Sequence, residues 1–197
     1  VSLSGDLATM DVTMKLAGPA PRRLILGDAR GLPSLASVTV GSVDATRDGD
    51  GYSTDGAGDG ATIRYRVDLA KLVESRAATR VGRTLCASPG LWLLRPQFLP
   101  RDPSAKLVLH LPEGVTASVP WKSRADGAYE LDETTFRWRG FAAFGGLAMH
   151  AIDVDGARLD VALLDRPVAA TWPGLERWLA TAARAQTSLW GGFPVPR

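Results

Sequence analysis

One cysteine, two histidines and no long apolar run among 197 residues exclude several kinds of chemistry at the outset. With Cys86 alone, no internal disulfide forms and no cysteine-based metal site can be built. Unpartnered by a histidine, it reads as a small buried hydrophobe. His110 and His150 stand 40 residues apart, both in segments that read as strands. The two histidines one helical turn apart that a zinc hydrolase requires are therefore missing, and no HExxH pattern occurs. His110 with Glu113 is the nearest approach to a ligand pair. No G-x-S-x-G elbow occurs either, so serine catalysis lacks its nucleophile. No stretch approaches the roughly 20 apolar residues that span a bilayer. The formal net charge is +2 with the basic residues dispersed, which offers no footprint for nucleic acid. The expectation is a chain with no catalytic residue, no resident metal or other cofactor, no nucleic-acid partner and no transmembrane segment. It begins at Val1 without Met, which fits earlier removal of a signal peptide or anchor.

What is present is the composition of a globular domain, 45% hydrophobic and 22% charged. Its length suits one large domain, or one domain and the opening of a second. Residues 10–16 alternate apolar and polar, the period of a strand buried on one face, and 62–67 alternate more clearly still. Short strands are expected at 23–26, at 37–43 with a bulge at Gly41, and at 91–94, a continuous apolar run suited to cover on both sides. Residues 106–111 and 115–119 read as a hairpin across Pro112-Glu113-Gly114. Further strands fall at 129–131, 136–138, 148–154 and 159–164, the last two joined through the Asp155-Gly156 pair typical of tight hairpins. Asp68 is placed to cap a short helix over about 69–78. Roughly ten short strands separated by Gly, Pro and Asp turns predict a mainly β fold, a two-sheet antiparallel β-sandwich over 1–168.

Residues 169–197 read differently. Pro173 sits where a first-turn proline loses no hydrogen bond. Leu175, Trp178, Leu179, Ala182, Ala185 and Leu189 then recur at spacings of three and four, one stripe of an amphipathic helix. Gly191-Gly192 stops it, and 193–197 run on extended. Trp178 and Leu179 are expected to dock on the sandwich. Leu189, Trp190, Phe193 and Pro194 are expected to form an interface with something outside the chain, because an apolar segment ending without a partner reads as the opening of a following domain.

Two other constellations carry weaker signals. Asp48, Asp50 and Asp55 place three carboxylates in the stretch 47–60, the ligand type calcium prefers, although the glycine and the twelfth residue do not fall where an EF-hand needs them. That stretch has no apolar period, so a solvated loop is expected. Phe136, Trp138, Phe141 and Phe144, interleaved with Arg137 and Arg139, are expected to pack in the core, with sugar stacking as the rival use.

The order of these features carries a resemblance: Leu91-Trp92-Leu93-Leu94-Arg95-Pro96, then Leu111-Pro112-Glu113-Gly114-Val115, Pro120-Trp121, the amphipathic helix, and Gly191-Gly192-Phe193-Pro194. Together they resemble the N-terminal β domain of gluzincin metallopeptidases, the glycyl aminopeptidase family in particular. The resemblance implies a non-catalytic domain that packs on its own C-terminal catalytic domain and helps shape a cleft for peptide substrate. It also implies that zinc belongs only to that following domain, and it is compatible with a bacterial protein in the periplasm, outside the cell or in the cytoplasm. The reading from another class is a stand-alone β-sandwich that binds sugar or peptide.

Overall fold

The computed structural model describes residues 1–101, 103–133, 136, 140–166 and 170–192. The mainly β, antiparallel class expected from the alternation holds, and the described residues include the short helix Leu69–Glu74 and a long C-terminal helix. Thr9–Lys15 and Thr62–Asp68 pair along their whole lengths at the centre of a five-stranded sheet, flanked by Ser2–Leu3 on one side and by Leu35–Val40 and Val43–Asp44 on the other. Met10, Val12, Ile63, Tyr65 and Val67 point inward and are buried. Asp11 and Arg66, opposite each other in the ladder, face outward and form an ion pair at 2.7 Å. This is the two-residue period of the sequence turned into an inside and an outside.

The remaining strands distribute over four smaller ladders, so hydrogen bonding divides the fold more finely than two sheets. Thr116–Ser118, Ala142–Gly145, Thr84–Ala87 and Thr79–Val81 make one ladder; Arg95–Pro96, Arg23–Ile25, Gly51–Ser53 and Arg47–Asp48 make a second. Ala105–Leu107, Tyr129–Leu131 and Lys122–Ser123 make a third, and the hairpin Ala148–Val154 with Ala157–Leu163 is the fourth.

Several sequence expectations are corrected here. Residues 91–94 are no strand: Pro89–Leu91 is a 3₁₀ turn, after which Leu91, Trp92 and Leu94 are buried from all sides. A continuous apolar run reports full burial and cannot by itself report the backbone. A Cβ at Gly31 would collide with the Leu91 carbonyl, so only glycine lets the neighbouring 3₁₀ segment Ala29–Ser34 approach this turn. The expected hairpin across Pro112–Gly114 does not form, because the two runs feed different ladders. Within the first run, Val108 and His110 bond to the N-terminal residues: the Val1 amine donates to Val108 O at 2.9 Å, and His110 N donates to Val1 O at 2.7 Å. The bulge lies at Ala36–Thr39, where Ser37 takes positive φ, and Gly41 instead turns the chain into Val43–Asp44. The helix at Asp68 is real and capped as expected, Lys71 N donating to the Asp68 carboxylate at 2.9 Å. It spans only Leu69–Glu74, since Arg76 adopts positive φ.

Most strands are only two to four residues long, too short to stand alone, and one apolar core holds them together. Trp92 meets Trp121 and Phe144 edge to face at 5.9 and 6.3 Å, and Trp121 meets Tyr129 at 6.1 Å. The central sheet is tied to this cluster by a buried hydrogen bond in which Leu94 N donates to the Tyr65 hydroxyl at 3.1 Å. Burial pushes the phenol's pKa up, so it stays neutral. Tyr65→Phe should therefore orphan the Leu94 amide in an apolar surround and cost about 1–3 kcal/mol, measured by urea unfolding. A variant as stable as the parent chain would show that the amide finds another partner.

Candidate functional site

The residues singled out for metal chemistry do not converge. The stretch 47–60 is not a bare loop: Arg47–Asp48 and Gly51–Ser53 form a hairpin whose turn has Gly49 at positive φ. Tyr52 is buried and Gly51 pairs with Ile25. The signal missed was Arg23. Its guanidinium lies 2.6 Å from Asp50 Oδ1, and it also donates to the Asp48 carbonyl. Arg23 Nε lies 3.4 Å from the Asp48 carboxylate, an ion-pair distance without hydrogen-bond geometry. Asp48 and Asp50 thus face a cation of the protein, and Asp55 is placed beyond them, its amide donating to Ser53 Oγ at 3.1 Å. Zinc does not fit these residues either: His150 stacks on Trp172, the His110 backbone is bound to the N-terminal segment, and no three His, Cys, Asp or Glu groups converge among the described residues. Cys86 is half-buried, and burial raises its thiol pKa.

The aromatic patch separates. Phe144 is fully buried and Phe136 packs partly on the core, whereas Phe141 is exposed. Phe136 belongs to a helical turn, its amide donating to Asp132 O at 3.1 Å, rather than to the expected strand. Trp138, Arg137 and Arg139 lie outside the described residues.

The unusual surface is the one made by the last hairpin and the C-terminal helix, Trp172–Trp190. Pro173 occupies its first turn and Gly191, at positive φ, closes it, both as the sequence predicts. Ile152, Val154, Ala180 and Ala183 form a second, small core, with Leu159, Val161, Trp172 and Leu179 packed at its margin. The His150 and Trp172 rings stack with centroids 3.7 Å apart. Docking therefore uses Trp172, Leu179, Ala180 and Ala183, and the expected stripe only grazes it. Leu179 packs as expected, but Trp178 does not dock and is 65% exposed. At about 100° per residue, Trp178 lies some 100° from Leu179, so a narrow hairpin cannot cover both. Leu189 and Trp190 are 74% and 69% exposed; Phe193 and Pro194 lie outside the described residues. Glu176, Arg177 and Arg184, the charged residues of the helix, line one groove with Asp153 beside strand Ala148–Val154. The opposite flank, Leu175, Trp178, Ala182, Ala185 and Leu189, carries no charge.

A latch joins this small unit to the main core. Arg83 N and Nε donate to the Asp165 carboxylate at 2.9 and 3.2 Å, and Asp165 N donates to the buried Thr84 Oγ1 at 3.2 Å. A Cβ at Gly82, which has positive φ, would strike Asp165. The Arg83 backbone amide first, and its guanidinium next, hold the Asp165 carboxyl below the usual range.

No protein-family model matches the chain, and no curated protein matches it. Among solved structures, its fold is similar to that of an aminopeptidase N family protein from Idiomarina loihiensis, with a TM-score of 0.73 at 15% identity over 99% of this chain. The chain spans 37% of the length of that protein.

Two outcomes follow from this geometry. The double variant Trp178→Lys, Leu189→Lys should leave stability within about 0.5 kcal/mol, while Ile152→Ala costs about 2 kcal/mol, in paired thermal melts. A large loss in the double variant would mean that the uncharged flank is covered within the chain. Asp165→Ala should be less stable than the parent chain at neutral pH. Because folding depresses this carboxyl, its contribution is complete above the unfolded pKa of about 3.9 and is lost as pH falls through the folded value. The two stability curves should therefore converge in acid, and curves that stay parallel would remove the latch.

Proposed function

We propose that this chain is the non-catalytic N-terminal β domain of a larger, zinc-peptidase-like protein. It packs on the catalytic part and forms one wall of the cleft for peptide substrate. The observation that carries the reading is the structural likeness: nearly all of this chain matches little more than a third of an aminopeptidase N family protein. The surface supports it independently. Trp178 and Leu189 are large apolar side chains left in water on one flank of the helix, a pattern typical of a face that another body covers. In this reading zinc and the hydrolytic step belong to the remainder of the protein, since zinc hydrolysis needs three protein ligands and an open position.

The test begins with the coding sequence. Translation past Arg197 should show a further domain containing HExxH, and the purified long protein should hold stoichiometric zinc and hydrolyse aminoacyl anilides. The 197-residue chain should do neither. A reading frame that stops directly after Arg197, or a longer protein without metal or peptidase activity, would overturn the proposal.

A further inference from the structure

The groove between the last hairpin and the C-terminal helix combines an open strand edge with unpaired cationic side chains. Edge strands elsewhere among the described residues, such as Ser2–Leu3, Val43–Asp44 and Thr79–Val81, are only two or three residues long. Short edges are how β proteins avoid pairing with other chains. Ala148–Val154 is seven residues long, pairs on one side only, with Ala157–Leu163, and has no proline, lysine or bulge to discourage a second partner.

The register shows which of its backbone groups are open. Asp155 and Gly156 both take positive φ, in the two-residue turn that lets Val154 and Ala157 exchange both hydrogen bonds, and every second pair after them does the same. The N–H and C=O groups of Met149, Ala151 and Asp153 therefore point away from the hairpin, and none has a backbone partner among the described residues. All three residues are exposed.

Beside this edge lies a groove of about 310 Å³, lined by Ile152 and Ala180 and by Glu176, Arg177 and Arg184 of the helix. No ion pair among the described residues uses Glu176, Arg177 or Arg184. Asp153 also lines the groove, but it stands opposite Arg158 in the ladder and helps to hold the charge of that guanidinium. Two arginines are thus left against one glutamate, over an apolar floor. They stand seven residues apart, about 10.5 Å along the helix axis, and same-face side chains of a strand, about 6.7 Å apart, fit within that span. The uncharged flank of the helix is on the other side of its docked face, so cover over that flank leaves the groove open.

We propose that this groove takes an extended acidic segment of another protein, which adds as a strand along the open edge of Ala148–Val154. Its backbone pairs with Met149, Ala151 and Asp153. Every second side chain enters the groove, where a glutamate suits both surfaces: its methylenes lie on Ile152 and Ala180, and its carboxylate reaches Arg177 or Arg184. The alternate side chains fall beside Met149 and Ala151 on the other face, where apolar residues suit. Glu176, toward the start of the helix, repels an acid placed there and so sets the register. A second copy of this chain is the poorer occupant, because it brings the same excess of arginine. The proposal needs only residues of this chain and stands apart from the zinc-peptidase reading.

The test uses the 197-residue chain and two capped, fluorescein-labelled peptides, one of five Glu-Val repeats and one of five Lys-Val repeats. By anisotropy, the acidic peptide should bind at least about tenfold more tightly than the basic one. The amides of Met149, Ala151 and Asp153 should exchange fast in the free chain and slow by roughly tenfold or more when that peptide saturates it. Arg177→Glu with Arg184→Glu should reverse the preference between the peptides. Ala151→Pro removes an outward N–H without touching the hairpin's own ladder, and should weaken the acidic peptide about tenfold with the melt nearly unchanged. If that variant proves unstable, amide exchange in the parent chain decides alone. Failure to bind, equal binding of the two peptides, or binding without slowing of the three amides would overturn the proposal. A peptide-free chain that sediments as a dimer with these amides protected would assign the edge to a second copy and overturn it too. So would a longer parent protein in which the same amides are already protected, an outcome that leaves the functional reading standing.

Discussion

The whole molecule depends on the burial of Trp92. Most of its strands contribute two to four residues to a ladder, far below what an isolated sheet needs. They hold because every ladder but the last hairpin sends side chains to one shared core: Tyr65 and Val67 from the central sheet, Leu85 and Phe144 from the ladder of Thr84–Ala87 and Ala142–Gly145, Leu24 from that of Arg23–Ile25 and Leu131 from that of Tyr129–Leu131. Trp92 is wholly inside that core, against Trp121 and Phe144. The tight 3₁₀ turn that delivers it is packed against Gly31, where no side chain fits. A strand at this place would alternate Leu91, Trp92, Leu93 and Leu94 between two faces; the turn buries three of the four together.

The last hairpin and the C-terminal helix obey a different constraint. Their core has four buried residues, two of them alanines, and its size limits what it can contribute. The polar latch at Asp165 ties this unit to the main core, and the stacked pair His150–Trp172 holds the start of the helix on the hairpin. Alanine at 180 and 183 lets the helix lie close on the hairpin, and so close a fit covers only a narrow arc of its circumference. The opposite arc stays apolar and wet. Large exposed apolar patches of this kind are typical of faces that another body covers.

Charges follow the same division. Around the central sheet they are paired across strands, as with Asp11 and Arg66, and the acidic turn 48–50 is gathered around Arg23. On the C-terminal helix they are confined to one groove. What resembles an ion-binding loop in composition is, in space, a hairpin closed by an arginine that lies 25 residues earlier in the chain.

Local rules were enough for a large part of this protein. The alternation at Thr9–Lys15 and Thr62–Asp68, the Asp68 cap, the Asp155-Gly156 turn and both ends of the long helix were all legible in the sequence, because each depends on residues within a few positions of one another. Tertiary structure alone decided the rest. It placed Leu91, Trp92 and Leu94 in a turn, sent 106–111 and 115–119 to separate ladders, and drew Asp48 and Asp50 to Arg23. It also chose which side of the helix docks. Leu175, Trp178, Ala182 and Leu189 and the line Trp172, Leu179, Ala183 are both apolar at helical spacing, and periodicity cannot rank two such stripes. The choice fell to shape: the small side chains at 180 and 183 admit the hairpin, and the indole at 178 is left outside because nothing within the described residues is wide enough to reach it.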